Sequence, residues 1–448
     1  MQSSLVVGSG FGGIASALRL RSLGFEVHLI ERQDDLGGRA QVFEVDGYRH
    51  DAGPTVITAP FLFDELFELF GERRQDHIEF RELKPWYRFI FPDGDHFDYG
   101  GTLEDTMAEI HRIEPKDQQG YQSLITHSKE LFDIGFAKLA HQPFHEIKTM
   151  AKQIPQLAKL RSDRSVWDMV CKYLSHDKLR QAFSIQPLLV GGSPFDTTSI
   201  YGLIHYLERA YGIYFAMGGT GALVEQLKQL MLRQGVTIQT GATVSEILTS
   251  QNKVCGVRLE SGEVITADYT IFNGDPMHLY RELLPQNDIP FATKIKRDFS
   301  KLSMGLYVLF FGTDRQYPDV AHHTIWMGQR YKDLLDDIFH RQTLADDFSL
   351  YVHRPTATDP SFAPSGHDSF YVLAPVPHQG AGIDWTIEEP KLRARIIDAL
   401  DKTMLPDLKE HLRAPFSMTP ENFATDYLSY QGAGFSIAPL FTQSAWFR

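Results

Sequence analysis

The hydrophobic pattern at the start of the chain predicts a strand, a helix and a second strand. Leu5–Val7 is a short apolar run, typical of a buried parallel strand. From Ile14 to Leu23 apolar residues recur on one helical face, and Gly24 marks the end of that helix. Val27–Ile30 is a second strand-like run. We therefore predict that the chain begins with a β-α-β unit of a parallel sheet.

Farther along, the pattern predicts hairpins, a helical region and more strands. Ala40–Tyr48 and Pro85–Tyr99 alternate around glycine-containing turns, as hairpins do. The stretch from Thr102 to about Arg209 has helical periodicity. Strand-like patterns return after Val236 and again between Ser303 and Val376. Because there is no internal repeat and no linker, we predict an α/β fold in which a Rossmann-type domain is interleaved with a mixed-sheet domain and a helical region.

The loop between the first strand and helix carries Gly8, Gly10 and Gly13 in the spacing G-x-G-x-x-G. The first glycine permits a tight turn, the second lets the backbone approach a pyrophosphate, and the third allows close packing of helix on strand. The start of the helix offers free N–H groups to phosphates. Glu31, at the end of the second strand, would accept hydrogen bonds from an unmodified ribose and repel a 2′-phosphate. The sequence therefore predicts FAD or NAD, and not NADP.

A second glycine turn, Gly37-Gly38-Arg39, favours FAD. This turn resembles the corresponding part of flavoproteins of the amine oxidase and phytoene desaturase superfamily, which hold FAD at this place. By that resemblance Gly37, Gly38 and Arg39 bind the cofactor, and the arginine offers a fork of donors to a phosphate or the flavin edge. A solvated loop arginine is the alternative interpretation.

Three further stretches extend the resemblance. Residues 50–55 read HDAGPT, and in the superfamily a D-x-G-P-T segment lies along the flavin ring, although a plain loop with a proline is the alternative. The residues implicated in this segment are Asp51, Gly53, Pro54 and Thr55. The superfamily also places a backbone contact to adenine beside Val244. Residues 217–224 read MGGTGALV, and because Val224 stands where a third glycine would be, no second dinucleotide site is predicted.

From Leu5 to Arg448 the sequence resembles the bacterial-type phytoene desaturases. Beyond the early motifs, the resemblance rests on residues 188–192, LLVGG, and 218–223, GGTGAL. It implies FAD-dependent, stepwise desaturation of phytoene to lycopene, in which one allylic carbon loses a hydride to flavin N5 and its neighbour loses a proton. Two alternatives stay open: another FAD-dependent oxidase or isomerase acting on an apolar substrate, and a non-catalytic lipid-escort protein of the same fold.

The resemblance also implies a division of the chain into three regions. We predict a discontinuous FAD-binding domain in residues 1–60, 215–290 and 415–448. A substrate-binding domain takes residues 61–100 and 295–414, and a helical, membrane-facing region takes residues 101–214.

His205 and Glu208, in an aromatic-rich stretch, are the candidates for accepting the proton. A residue of either type is more often a surface or packing residue, which is the alternative interpretation. The family implies a quinone or dioxygen as the electron acceptor.

Composition restricts the partners and the compartment. The chain has 44 Lys and Arg residues against 57 Asp and Glu residues, a net charge of −13, which argues against nucleic acid as a partner. Cys171 and Cys255 form no metal or redox spacing, so we expect no metal site and a reducing, cytoplasmic location. We expect neither a signal peptide nor a membrane span.

One basic amphipathic stretch predicts peripheral membrane association. Lys138–Arg164 carries six basic and two acidic residues with apolar residues between them. Such a stretch can lie on a lipid surface, although a solvated helix face is an equal alternative. Because phytoene is an insoluble hydrocarbon, we predict that this stretch docks on a membrane.

The resemblance carries one expectation about the end of the chain. Proteins of this family continue past the position of Arg448 with a strand, a G-x-x-T-x-P-G-x-G turn and a helix. We therefore expect this chain to lack one strand of the FAD-binding sheet, to bind FAD poorly and to associate through the open sheet edge.

Overall fold

The computed structural model describes residues 1–136, 160–251 and 253–444. The described strands are β1 (Ser3–Val7), β2 (Glu26–Ile30), β3 (Val42–Val45), β4 (Tyr48–Asp51), β5 (Phe80–Glu82), β6 (Tyr87–Ile90), β7 (His96–Tyr99), β8 (Tyr214–Ala216), β9 (Thr237–Gln239), β10 (Val244–Ser250), β11 (Lys253–Leu259), β12 (Val264–Thr266), β13 (Tyr269–Phe272), β14 (Gly305–Thr313), β15 (His323–Trp326), β16 (Leu350–His353), β17 (Asp368–Val376) and β18 (Leu412–Met418). The described α-helices of four or more residues are α1 (Phe11–Ser22), α2 (Phe61–Glu68), α3 (Leu103–Ile113), α4 (Asp117–Gly135), α5 (Val166–Tyr173), α6 (Asp177–Ala182), α7 (Leu203–Tyr211), α8 (Gly219–Arg233), α9 (Phe291–Phe299), α10 (Tyr331–Asp336), α11 (Trp385–Lys402), α12 (Leu408–His411) and α13 (Pro420–Asp426).

A parallel sheet of order β13-β1-β2-β9 organises the first part of the fold. The central strand β1 is buried over Ser4–Val7, as its apolar run predicts. Helices α1 and α8 contact each other beside this sheet, and Ile14, Leu18 and Leu227 share a core with Val6. Because all four strands are parallel, their carboxyl ends meet at one edge, which is where such sheets bind ligands.

A mixed sheet of order β18-β14-β17-β16-β15-β6-β7 forms the second centre of the fold. Strand β14, which pairs with β18 on one side and β17 on the other, is buried throughout, and its side chains alternate between two cores. Leu306 and Phe310 lie in an aromatic core shared with α4–α7, whereas Tyr307 and Leu309 lie in a core shared with α11. The sheet is therefore covered on both faces.

The architecture agrees with the predicted α/β fold, and both predicted hairpins are present as β3–β4 and β6–β7. The parallel sheet takes its strands from residues 1–60 and 215–290. Strand β18 crosses the predicted boundary at residue 414. The domain limits themselves stay a prediction.

Two further expectations concern membranes. In the described parts of the chain, no helix is both long enough and apolar enough to cross a bilayer. Most of the basic stretch Lys138–Arg164, namely residues 138–159, lies outside the described residues.

Candidate functional site

A cleft of about 430 Å³ opens at the carboxyl edge of the parallel sheet. Three chain segments that follow strands line it: the glycine loop after β1, Glu31–Gln33 after β2 and Asn273–Pro276 after β13. The C-terminal part of the chain adds Asp426–Leu428 and Ser436. Of the residues predicted to bind the cofactor, the cleft brings together Gly8, Gly10, Glu31, Gly37, Gly38, Arg39, Pro54 and Val244.

The three glycines of the loop have different roles. Gly8 has a φ of +93°, a backbone conformation that favours glycine. A Cβ atom on Gly13 would lie 1.9 Å from the carbonyl oxygen of Gly8, so this glycine lets α1 pack against the loop and does not line the cleft. Gly10 is the N-cap of α1 without a side-chain cap, and a Cβ there would meet only the side-chain oxygen of Asn273, at 3.2 Å. The first N–H groups of α1 therefore face a space that a phosphate can enter.

Glu31 is buried and holds the glycine loop in place. Its Oε2 accepts hydrogen bonds from the N–H of Ser9 at 2.8 Å and from the Ser9 hydroxyl at 2.6 Å. Its Oε1 accepts from the N–H of Gln33 at 2.9 Å. A carboxylate has about four acceptor positions, so one is left for a ribose hydroxyl. The sequence analysis missed the contact with Ser9, which connects Glu31 to the glycine loop.

Arg39 is the cationic side chain of the second glycine turn. It is half-buried, and its Nη2 donates to the hydroxyl of Ser429 at 3.2 Å. Burial lowers the pKa of Arg39, and the nearby carboxylate of Asp275 opposes that effect. The Gly37 N–H donates to the backbone oxygen of Ser9 at 3.1 Å, which joins the two glycine turns into one cradle.

Asp51 is fully buried and lies outside the cleft lining. Its Oδ1 accepts from the N–H and the hydroxyl of Thr220, at 3.1 and 3.0 Å, and so closes the N-terminus of α8. Burial raises the pKa of Asp51 to about 6. The helix that begins at Gly219 thus has its first N–H groups occupied by the chain's own carboxyl group.

The other residues of the HDAGPT segment occupy different positions relative to the cleft. Pro54 lines the cleft. Gly53 lies behind it, where a Cβ would be 2.3 Å from the carbonyl oxygen of Arg39, and Thr55 hydrogen-bonds through its hydroxyl to Tyr351 at 2.7 Å. Contact of Asp51, Gly53 and Thr55 with a flavin stays a prediction.

Val244 also lines the cleft, at the first position of β10. The ladder with β11 shifts register between Val244 and Glu246, so the strand is irregular where it meets the cleft. This placement suits the predicted contact to adenine, which stays a prediction.

His205 and Glu208 lie on α7 in the aromatic core and not in the cleft lining. Oε1 of Glu208 accepts from the Tyr87 hydroxyl at 3.3 Å, while Oε2 has no partner among the described residues. Burial raises the pKa of Glu208 to about 8, so it is protonated at neutral pH. Burial lowers the pKa of His205 to about 4, so its imidazole is neutral at neutral pH and a weaker base than the Glu208 carboxylate. A catalytic role for either stays a prediction.

The residues present fit a dinucleotide. The loop leaves room for a pyrophosphate at Gly10, Glu31 keeps an acceptor for a ribose, and Val244 lines the same cleft. Sequence reasoning missed Asn273 and Asp275, because nothing in their spacing signals that β13 ends at the same edge as β1.

Comparison with known proteins gives three findings. The family described as flavin containing amine oxidoreductase matches residues 11–448. Phytoene desaturase (lycopene-forming) of Pantoea ananas is 43% identical over 449 aligned positions, which cover 100% of this chain and 91% of the relative. Phytoene desaturase (neurosporene-forming) of Rhodobacter capsulatus is 38% identical, with 100% of this chain and 87% of the relative covered.

Among solved structures, cyclohexylamine oxidase from Brevibacterium oxydans has a TM-score of 0.64 at 14% identity, and the match covers 99% of this chain and 89% of that one. At that identity the match shows the fold alone. It confirms the predicted α/β fold class.

Proposed function

Because this chain belongs to the flavin containing amine oxidoreductase family, and within it to the phytoene desaturases, we propose that it desaturates phytoene in carotenoid biosynthesis. The observation that carries the proposal is 43% identity to a lycopene-forming relative over the full length of the chain. We propose lycopene as the product. The neurosporene-forming relative, at 38% identity, makes the number of steps a quantity to be measured.

The cofactor of this family is a flavin, and we propose that it is FAD. The support is the cleft itself: an open helix N-terminus for the pyrophosphate, the Glu31 carboxylate for a ribose and Arg39 beside the second glycine turn. When bound, FAD supplies the hydride acceptor for the allylic carbon. The protein's own part is to orient the cofactor, to exclude water and to accept a proton.

We propose that the reacting polyene lies against the aromatic core that the mixed sheet shares with α4–α7. Tyr87, Tyr99 and Phe183 are buried there beside His205. Aromatic faces stabilise a desolvated cation by about 1–2 kcal/mol each, which would favour loss of hydride from an allylic position. His205 and Glu208, which are both buried beside these rings, are the two residues that we propose as proton acceptors.

Purified protein tests these proposals in two steps. Its absorbance spectrum, together with release and identification of the cofactor, distinguishes FAD from other flavins and from an empty escort protein. Incubation with phytoene in liposomes, followed by chromatographic analysis of the carotenes, should show successive desaturated products ending at lycopene. A flavin-loaded protein that leaves phytoene unchanged would favour the alternative of another apolar substrate.

We propose a quinone or dioxygen as the electron acceptor. In the described residues the glycine loop at Gly8–Gly13 leads into an open helix N-terminus, whereas the N-terminus of α8 is closed by Asp51. A nicotinamide dinucleotide therefore lacks a second cradle at α8. Formation of one NADH per double bond during turnover would contradict this proposal, and reduction of an added quinone would support it.

We also propose peripheral binding to a lipid bilayer, with support from helix α9. No residue of α9 is buried. Phe291, Ile295 and Phe299 share one face and are 78%, 44% and 82% exposed. Lys294 lies in the turn between Phe291 and Ile295, whereas Arg297 is ion-paired with Asp298 at 2.8 Å. Exposed aromatic residues next to a lysine suit the interface of an anionic membrane.

Liposome co-sedimentation tests the role of α9. Replacing Phe291 and Phe299 by serine should reduce binding to anionic vesicles by more than tenfold, because burying each phenylalanine contributes about 1.5–3 kcal/mol. Leu23→Ser is the matched control, since Leu23 is 74% exposed at the end of a different helix. Equal binding of the double variant and the control would refute docking through α9.

A further inference from the structure

Three buried histidines come together on the mixed sheet, away from the cleft. His323 on β15 lies directly opposite His353 on β16, and His322 precedes β15. One ring nitrogen of each histidine lies within 4.8 Å of the others. Their exposed fractions are only 5% for His322 and 0% for His323 and His353. Adjacent strands and adjacent residues thus converge three imidazoles on one buried point.

The cluster holds more nitrogen atoms than the described residues satisfy. Nδ1 of His322 hydrogen-bonds to the hydroxyl of Thr358, and Nδ1 of His323 to the hydroxyl of Tyr351, each at 2.7 Å. The Nε2 atoms of both rings have no partner among the described residues, and His353 has at most one, the backbone of His322, so that at least one of its two nitrogens is also unpaired. A buried polar atom without a partner costs about 1–3 kcal/mol, so three in one place require an explanation.

The pattern of anchored and unpaired nitrogens is typical of metal ligands. A ligating histidine binds the ion through one nitrogen and is oriented by a hydrogen bond at the other. His322 and His323 both have an oriented Nδ1 and an unpaired Nε2.

We propose that His322, His323 and His353 form a binding site for one divalent first-row transition-metal ion of the zinc type. Imidazole suits Zn²⁺, Co²⁺, Ni²⁺ and Cu²⁺, and three histidines leave a fourth position for water. With metal–nitrogen bonds of about 2.0–2.1 Å, the ligand atoms of a tetrahedral site lie about 3.4 Å apart. The rings therefore need to close by at most about 1.4 Å from the present 4.8 Å, which side-chain rotation supplies.

Metal binding would fix the direction of a hydrogen-bond chain that leads toward the cleft. With Nε2 on the metal, the proton of His323 is on Nδ1, which then donates to the Tyr351 hydroxyl. The Tyr351 hydroxyl in turn donates to Thr55, which follows the cleft residue Pro54. The ion would thus hold the HDAGPT segment through Tyr351.

The test is a titration of untagged, chelator-treated full-length protein with CoCl₂, followed by visible absorption of the bound Co²⁺ and by calorimetry. The wild type should bind one Co²⁺ with a spectrum of nitrogen coordination. His353→Gln should lose this binding, and Tyr351→Phe should weaken it by about 10–100-fold, because His323 loses its orienting partner.

Two controls separate the site from general effects. Tyr371→Phe alters a second buried tyrosine beside His353 whose hydroxyl hydrogen-bonds to none of the three histidines, and should bind Co²⁺ as the wild type does. His205→Gln alters a buried histidine outside the cluster and should also leave binding unchanged. If His353→Gln does not fold, the titrations of the wild type and of Tyr351→Phe still test the proposal. No stoichiometric binding by the wild type, or equal affinity for Tyr351→Phe and Tyr371→Phe, would overturn the proposal.

Discussion

Alanine substitutions at Gly13 and Gly10 are the same chemical change in one loop, yet the structure predicts different consequences. At Gly13 the new methyl group would lie 1.9 Å from the backbone oxygen of Gly8, so helix and loop must separate by about 1.5 Å to restore ordinary contact. Overpacking of this kind costs about 1–3 kcal/mol, and contact with a backbone atom favours the upper end. Alanine regains only about 1 kcal/mol of helix propensity. Gly13→Ala should therefore destabilise the fold.

Gly10→Ala should preserve the fold and weaken the cofactor site. Gly10 has a φ of −59°, which alanine adopts freely, and its new methyl group would meet only the movable side chain of Asn273, at 3.2 Å. The methyl group would, however, occupy the space where a pyrophosphate approaches the helix.

Thermal unfolding of the flavin-free proteins and fluorescence titration with FAD distinguish the two effects. We expect Gly13→Ala to unfold at a clearly lower temperature than the wild type. We expect Gly10→Ala to unfold with the wild type but to bind FAD at least tenfold more weakly, a loss of about 1.4 kcal/mol. Wild-type thermal stability of Gly13→Ala, or wild-type FAD affinity of Gly10→Ala, would refute the reasoning.

Three other predictions follow from buried carboxyl groups. Glu31→Gln replaces the carboxylate that accepts hydrogen bonds from Ser9 and Gln33, so calorimetry should show FAD binding weakened by about 1.5–3 kcal/mol. An unchanged affinity would argue against the assignment of Glu31 to the ribose. Glu208 has a folded-state pKa of about 8, above its ordinary value of 4.5, so the wild type loses stability as pH rises from about 5 to 8. In denaturant titrations over this range, the free energy of unfolding of Glu208→Gln should rise relative to that of the wild type by up to about 1.4 kcal/mol per pH unit. Asp51 has a folded-state pKa of about 6 against an ordinary value of 3.8, so the free energy of unfolding of Asp51→Asn should likewise rise relative to that of the wild type as pH rises from about 4 to 6. A difference between the two proteins that does not change with pH would count against the stated effect of burial.

The first β-α-β unit could be predicted because its causes are local. The apolar run at Leu5–Val7, the amphipathic helix and the glycine spacing all act within 30 residues, and the observed β1, α1 and β2 follow them. Glu31 was found for the same reason, since a residue at the end of a parallel strand lies at the ligand edge. The flavin family rested instead on resemblance along the whole chain, which the family match and the relatives confirm, whereas the substrate stays a proposal.

What only the tertiary structure decided depends on contacts between distant segments. Asp51 and Thr220 are far apart in sequence, so no spacing rule signals that one carboxyl group closes the helix of the other. The same holds for the three histidines, of which two are adjacent and the third comes from the next strand of the sheet. The sequence analysis predicted no metal site, whereas the pairing of β15 with β16 brings one ring nitrogen of each histidine within 4.8 Å of the others. Local patterns determine which elements form, because periodicity and backbone propensity act over a few residues. Strand order determines which side chains meet, because parallel and antiparallel pairing joins residues that the sequence separates.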